Sequence, residues 1–272
     1  MLFGIDKIRP AAAVAVVMLT PDCDMACPYC GAESNFQALS ESQALSLMPA
    51  LAAQGFTSVV LGGGEPFCWQ GDLRALAAKA QSCGLLTQVG SNLQQMPADA
   101  PAWPQVDRWV VPFESASALA HNALRPTHGS HHALVLQALD AFQAAGKAVT
   151  LSSVARRGSE QELHGVAQLL NHRRNSGLKL HAWHIYRFQA MGRSGRFNAN
   201  RFSLDDSQWQ SLAQALKTRH HQLPILLRPD LLHSRQVAFF WGSPAGLWRQ
   251  GPLQWSGPAQ DPPTATPVTL AR

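Results

Sequence analysis

The chain has 272 residues, 46% of them hydrophobic and 14% charged, enough apolar material for one large domain or a domain with an appendage. Its net charge of +5 is spread along the chain and reads as a mildly basic solvated surface, so nucleic acid ranks low among partners. Five cysteines, with none after residue 83, make a poor disulfide framework and favour a reducing compartment; no apolar run reaches the ~18 residues of a membrane span, and the chain is expected to be cytoplasmic, with no membrane partner.

Strands and helices alternate. The apolar run at 12–19 follows Lys7 and Arg9 and imitates a signal peptide, but no small-residue cleavage site follows it, and its valines predict a buried strand. A helix is predicted over 40–55, with Ser40 as cap and Gly55 at its end. The glycine-ended strand "FTSVVLGG" comes next, followed by the helix "DLRALAAKAQSCG" and the strand "LLTQVGSN". Strands at 106–113 and in "AVTLSSVA" flank a helix at 131–146. The helix "SEQELHGVAQLLNHRR", the strand "LKLHAWHIYRF", the helix "SLDDSQWQSLAQALKTRH" and the short strand "LPILLRP" complete the series. Strands recurring every ~30–40 residues with helices between them imply a parallel sheet. Six or seven units are too few to close an eight-stranded barrel, so the fold expected is α/β, a partial (β/α)6 TIM-like barrel with a C-terminal extension. Ligands of such folds sit at the carboxyl ends of the strands.

Three segments fall at those ends: "CDMACPYC" (23–30), "GGGEP" (62–66) and "GSN" (90–92). Cys23, Cys27 and Cys30 follow a Cys-x3-Cys-x2-Cys spacing with no second hook, where a structural zinc or four-cysteine iron–sulfur site needs four ligands. Cys68 and Cys83 each lie beyond another strand. The spacing therefore suggests a cluster with one iron left open.

These cysteines, with Tyr29 just before the last of them and Gly63-Gly64-Glu65-Pro66 after the second strand, resemble the radical S-adenosylmethionine (radical SAM) superfamily over roughly residues 10–195. The resemblance implies that Cys23, Cys27 and Cys30 hold three irons of a single [4Fe–4S] cluster and that S-adenosylmethionine (SAM) chelates the fourth. Reductive cleavage of SAM then gives a 5′-deoxyadenosyl radical that abstracts hydrogen from substrate. It further implies SAM contacts at Tyr29, Gly63, Gly64, Glu65, Pro66, Ser91, Asn92 and Gln189, and an electron donor such as flavodoxin or ferredoxin. Glycines admit a close approach of backbone to the SAM ammonium, and Glu65 adds negative potential there.

Some positions depart from the family pattern. Pro112 stands where a serine is common, so that hydroxyl contact is either missing or moved to Ser115; Glu114 replaces an aspartate, and Arg125 matches a family arginine. Arg187, Arg193 and Arg196 are either carboxylate or phosphate grips or solvated loop residues. The paired histidines at 131/132 and 220/221 read as surface residues, and Cys68 as packing. The expected layout is a radical SAM partial barrel over 1–228 and an extension over 229–272, Trp-containing and then Pro-rich, whose segment "FFWGSPAGLWRQG" reads as a lid or an interaction surface. The function expected is an oxidoreductase acting on a small-molecule or peptide substrate. A non-catalytic iron–sulfur redox or sensor protein and an RNA-modifying radical SAM enzyme are the alternatives. Which residue contacts the substrate is not legible.

Overall fold

A computed structural model describes residues 14–230, 237–243, 246–250 and 266–268, the last two stretches by their backbone alone. Strand β1 (Val14–Met18) is followed by α1 (Glu41–Ala53), β2 (Ser58–Gly62), α2 (Leu73–Ser82), β3 (Leu86–Gly90) and β4 (Arg108–Pro112). After these come α3 (Ala118–Leu124), α4 (His131–Ala144), β5 (Ala148–Ala155), α5 (Glu160–Asn175) and β6 (Lys179–Arg187). Two single turns, α6 (Gly192–Gly195) and α7 (Ala199–Phe202), precede α8 (Asp206–Arg219) and β7 (Ile225–Arg228). Local chemistry sets several boundaries. Ser40 and Gln43 form a reciprocal capping box at α1, as Asp205 and Gln208 do at α8, and Asp72 caps α2.

Strands β1 to β7 lie side by side in chain order and pair parallel throughout. The segment 237–243, grouped from sequence with the extension, forms β8 (Val237–Ser243), parallel to β1 on its other side. Two further strands, β9 (Gly246–Gln250) and β10 (Thr266–Val268), continue that edge antiparallel. The rest of the predicted Pro-rich tail, and residues 12–13 of the first predicted strand, lie outside the described residues. Eight parallel strands with β7 and β8 at opposite ends make an open, curled α/β half-barrel, as the alternation predicts.

The two faces of this sheet differ sharply. Val17, Leu61, Val89, Trp109, Leu151 and Trp183 point outward and are wholly buried against the helices in one continuous core; Trp109 stacks on Phe142 of α4 with ring centroids 5.4 Å apart. Because strand side chains alternate, the neighbours of these residues point into the concave lumen. Gln88, Arg108, Thr150, His184 and Arg228 belong to this second set. No helix among the described residues is long and apolar enough to cross a membrane.

Candidate active site at the cysteine rim

The loop after β1 carries Cys23, Cys27 and Cys30, and neighbouring backbone grips it from two sides. On one side, Gly64 N–H donates to the Thr20 carbonyl and Glu65 N–H to that of Asp22, each at 2.7 Å. A β-carbon on Gly64 would lie 2.6 Å from the Pro21 oxygen, and one on Gly63 2.7 Å from the Thr20 oxygen. Gly63 also sits at φ 131°, a conformation other residues rarely adopt. These glycines are needed first for the contact between their own loop and the cysteine loop.

On the other side, the segment after β6 closes over Cys30. Ser194 and Gly195 N–H both donate to the Cys30 carbonyl, at 3.3 and 3.0 Å, and Arg193 N–H donates to Ala32 at 2.9 Å. Asn198 Nδ2 donates to the Pro28 carbonyl at 2.9 Å. Gly192, at φ 75°, abuts Gly31 so closely that a β-carbon would overlap the Gly31 backbone. The three arginines considered as anion grips are engaged within the protein. Arg193 donates to the Pro21 carbonyl at 2.8 Å, Arg196 to the Glu33 carboxylate at 2.9 Å, and Arg187 to Asp206 and the Leu204 carbonyl, each at 2.6 Å. They staple loops together.

Glu65 is 1% exposed. One carboxylate oxygen accepts from Ser91 Oγ at 2.7 Å and Phe67 N–H at 3.2 Å, the other from Asn92 N–H at 2.7 Å. Burial pushes its pKa up to about 7 against the pull of these bonds. Asn92 also donates through its side chain to Asp24 at 2.6 Å and lies with Nδ2 3.8 Å from Cys23 Sγ. The glycine loop, the third strand's end and the cysteine loop thus meet through Glu65 and Asn92. Pro66 opens a short 3₁₀ turn after Glu65 and is buried. Gln189 is half-buried, its amide donating to the Pro229 carbonyl at 3.2 Å.

Beneath Cys27 lies a charged knot. Tyr29 OH donates to Glu114 Oε1 at 2.8 Å; Arg125 Nε and Nη2 reach the same oxygen at 3.2 and 3.1 Å; Val154 N–H donates to the other oxygen at 2.8 Å. The Arg125 guanidinium lies over the Tyr29 ring, 5.6 Å from its centroid, with Nη1 3.9 Å from Cys27 Sγ. Burial opposes the charge on Arg125, but Tyr29, Cys27 and Glu114 outweigh it and hold the guanidinium protonated. Ser115, the alternative hydroxyl at this strand end, is buried and accepts from Ser117 N–H at 3.1 Å.

A pair of histidines that read as unremarkable from sequence joins the ends of β3 and β4. His131 is 1% exposed rather than superficial, and His121 is wholly buried. Glu114 N–H donates to His121 Nδ1 at 3.2 Å, so that nitrogen is an acceptor. His121 Nε2 then donates to His131 Nδ1 at 2.7 Å, and His131 Nε2 to the Asn92 carbonyl at 2.8 Å. Both rings are neutral in this chain of bonds, and burial lowers their pKa values, to about 2 for His121 with His131 and Arg125 adding, and to about 4 for His131 with Arg125 and His132 adding.

All five cysteines are free thiols. Burial raises the pKa of Cys23, and that of Cys27 to about 11; Cys27 also feels the charges of Cys30 and Cys23. The N–H donors of Asn92 and Arg125 aimed at sulfur suit thiolates that a metal has deprotonated. Among the described residues no three His, Cys, Asp or Glu side chains converge on a single point. A cubane takes one thiolate per iron, so three free thiols on one loop, two of them faced by N–H donors, are a donor set of the right kind for a three-cysteine cluster.

The family profile of the Radical SAM superfamily matches residues 17–170. The GTP 3′,8-cyclase of Caulobacter vibrioides is 31% identical over 163 residues, covering 56% of this chain and 46% of the relative. In fold, the chain resembles Streptococcus suis SuiB bound to precursor peptide SuiA, with TM-score 0.68 and 13% identity over 81% of this chain and 49% of that one. It also resembles anSMEcpe with bound AdoMet, with TM-score 0.60 and 10% identity over 78% and 63% of the two chains. HydG, a maturase of the [FeFe]-hydrogenase, gives TM-score 0.60 and 14% identity over 79% and 51%. The chain thus spans about half the length of its curated relative and of SuiB.

Proposed function

Because this chain belongs to the Radical SAM superfamily, whose members use a [4Fe–4S] cluster and SAM, we propose that it is an enzyme of that chemistry acting on a small-molecule or peptide substrate. The observation that carries the reading is the trio of free thiols, Cys23, Cys27 and Cys30, on a loop clamped at the rim of a half-barrel. In this reading the three thiolates hold three irons, and SAM occupies the fourth. When bound, cluster and SAM together supply reductive cleavage to a 5′-deoxyadenosyl radical and hydrogen abstraction from substrate.

The chain's own residues orient and shield that chemistry. The backbone of Gly63–Pro66, with Asn92 and Gln189, borders the place for SAM. Glu65 and Ser91 hold the glycine loop to the third strand's end, and the Tyr29 hydroxyl, turned inward to Glu114, fixes the loop between Cys27 and Cys30. The Arg125 guanidinium sets a positive charge beside Cys27, which favours its thiolate. Reduction requires a one-electron donor, for which flavodoxin or ferredoxin is the natural class.

The test is anaerobic reconstitution of the full chain with iron and sulfide, followed by reduction in the presence of SAM. About four irons per chain and release of 5′-deoxyadenosine are expected. A protein that binds the cluster yet releases none is a redox or sensor protein instead.

A further inference from the structure

With the rim arginines engaged elsewhere, one cationic sector inside the half-barrel has no assigned task. The eight parallel strands contain no Asp or Glu, whereas Arg108, His184 and Arg228 occupy lumen-facing positions of β4, β6 and β7. Tyr186 and Arg228 are direct neighbours in the register of β6 and β7, and His184 precedes Tyr186 by two positions on the same face. His184 Nδ1 and the Tyr186 hydroxyl are 3.1 Å apart. The Arg228 guanidinium has no hydrogen bond or ion pair with any described residue, unlike those of Arg125, Arg156, Arg187 and Arg196, each of which meets a carboxylate. Deeper in the lumen, Arg108 Nε and Thr150 Oγ1 are buried without a partner. Every charge that His184 feels is positive: Arg228, His181 and Arg108 combine with burial to lower its pKa to about 4.

We infer that the β6–β7 sector of the lumen is the anion-binding end of the substrate site, where Arg228 takes a carboxylate or phosphate and the Tyr186 hydroxyl donates a second hydrogen bond. The inference rests on the proposed function in that it takes the lumen as the substrate site. The chemistry is self-consistent. A guanidinium presents paired N–H donors matched to two oxygens of either anion. Once Tyr186 donates to the anion, its oxygen is free to accept from His184 Nδ1–H, so a neutral imidazole supports the phenol without adding a proton. Arg228 stands at the carboxyl end of β7, on the level of the rim, so an anion held there leaves the remainder of the substrate free to extend toward the cysteine loop.

The experiment uses the full chain under anaerobic conditions and titrates inorganic phosphate, acetate or chloride at matched ionic strength. Thermal midpoint is followed throughout, with ³¹P line width for phosphate. Phosphate or acetate is expected to raise the midpoint beyond chloride. The effect should be about tenfold or more weaker in Arg228→Gln and several-fold weaker in Tyr186→Phe, with partial retention in Arg228→Lys. A response confined to phosphate identifies a phosphorylated substrate, and one confined to acetate identifies a carboxylate. No difference from chloride in the wild type, or an undiminished response in Arg228→Gln, overturns the inference. Iron content and 5′-deoxyadenosine release in the same wild-type preparation test the cofactor reading separately. Cluster without anion sinks only the subsite, and anion without cluster supports the subsite while sinking the proposed function.

Discussion

Around the cysteine loop, Glu65, Asn92, Glu114, Arg125, His121 and His131 all find their hydrogen-bond partners inside the protein, whereas the half-buried Arg228 guanidinium at the end of β7 finds none among the described residues, and Arg108 Nε and Thr150 Oγ1 deeper in the lumen find none there either. The first region is a brace: its polar groups fix three loops whatever ligand is present. The second has the character of a socket, with donors left open. Buried polar groups left unmatched are costly, so an open cationic sector in an acid-free sheet points to a charge brought from outside.

The contrast yields predictions that differ in size. Replacing any one of Cys23, Cys27 or Cys30 by Ala should abolish cluster absorbance and SAM cleavage; intact cleavage in one variant would strike that residue from the ligand set. Within the brace, Glu114→Gln leaves the Arg125 guanidinium buried beside a neutral amide and should cost about 3 kcal/mol by denaturant unfolding. Gly64→Ala should cost about 2 kcal/mol, because its new methyl meets the 21–22 backbone. A change within 0.5 kcal/mol for either would show that the loops are not braced as described.

Acid should loosen the same brace. His131 is held neutral with its pKa lowered to about 4 from 6.5, so in that interval the unfolded chain binds more protons than the folded one. Its contribution is complete above pH 6.5 and is lost as pH falls toward 4, with Arg125 and His132 adding to the penalty on protonation. Unfolding free energy measured across this range should decline less steeply in His131→Gln; equal slopes would place the acid sensitivity elsewhere. Smaller effects are expected in the socket and beyond the brace. Arg228→Gln should alter stability by about 0.5 kcal/mol or less, since no internal partner is lost. Cys68→Ala should keep its full iron content, because Cys68 lies on the turn after Glu65 rather than on the cysteine loop, with Gln95 Nε2 3.5 Å from its sulfur; lost iron would make it a ligand.

How much of this was legible depended on whether the chemistry was local. Cysteine spacing, the glycine turn and the strand–helix alternation are local signals, and β5 falls on the predicted residues. The brace is not local. Arg193 pairs with carbonyls of residues 21 and 33, more than 150 positions away, which carry no side-chain signature. His131 opens an ordinary helix, and only the packing of β3 against β4 makes it a buried link. Strand β8 returns beside β1 across more than 200 residues, and its aromatic composition reads as a lid or an interaction surface, with no local signal for a strand of the sheet. Tyr29 and Arg125 stood out as matches to a family pattern and Glu114 as a departure from it, but that the three form one buried knot was not legible.

In the proposed function three thiolates of this chain hold an iron–sulfur cube whose remaining iron binds SAM. Electron paramagnetic resonance of the reduced, anaerobically reconstituted full chain, recorded without and with SAM, tests it most directly. A [4Fe–4S]⁺ signal that changes on adding SAM is the predicted result; zinc in place of iron, or a signal indifferent to SAM, would contradict it.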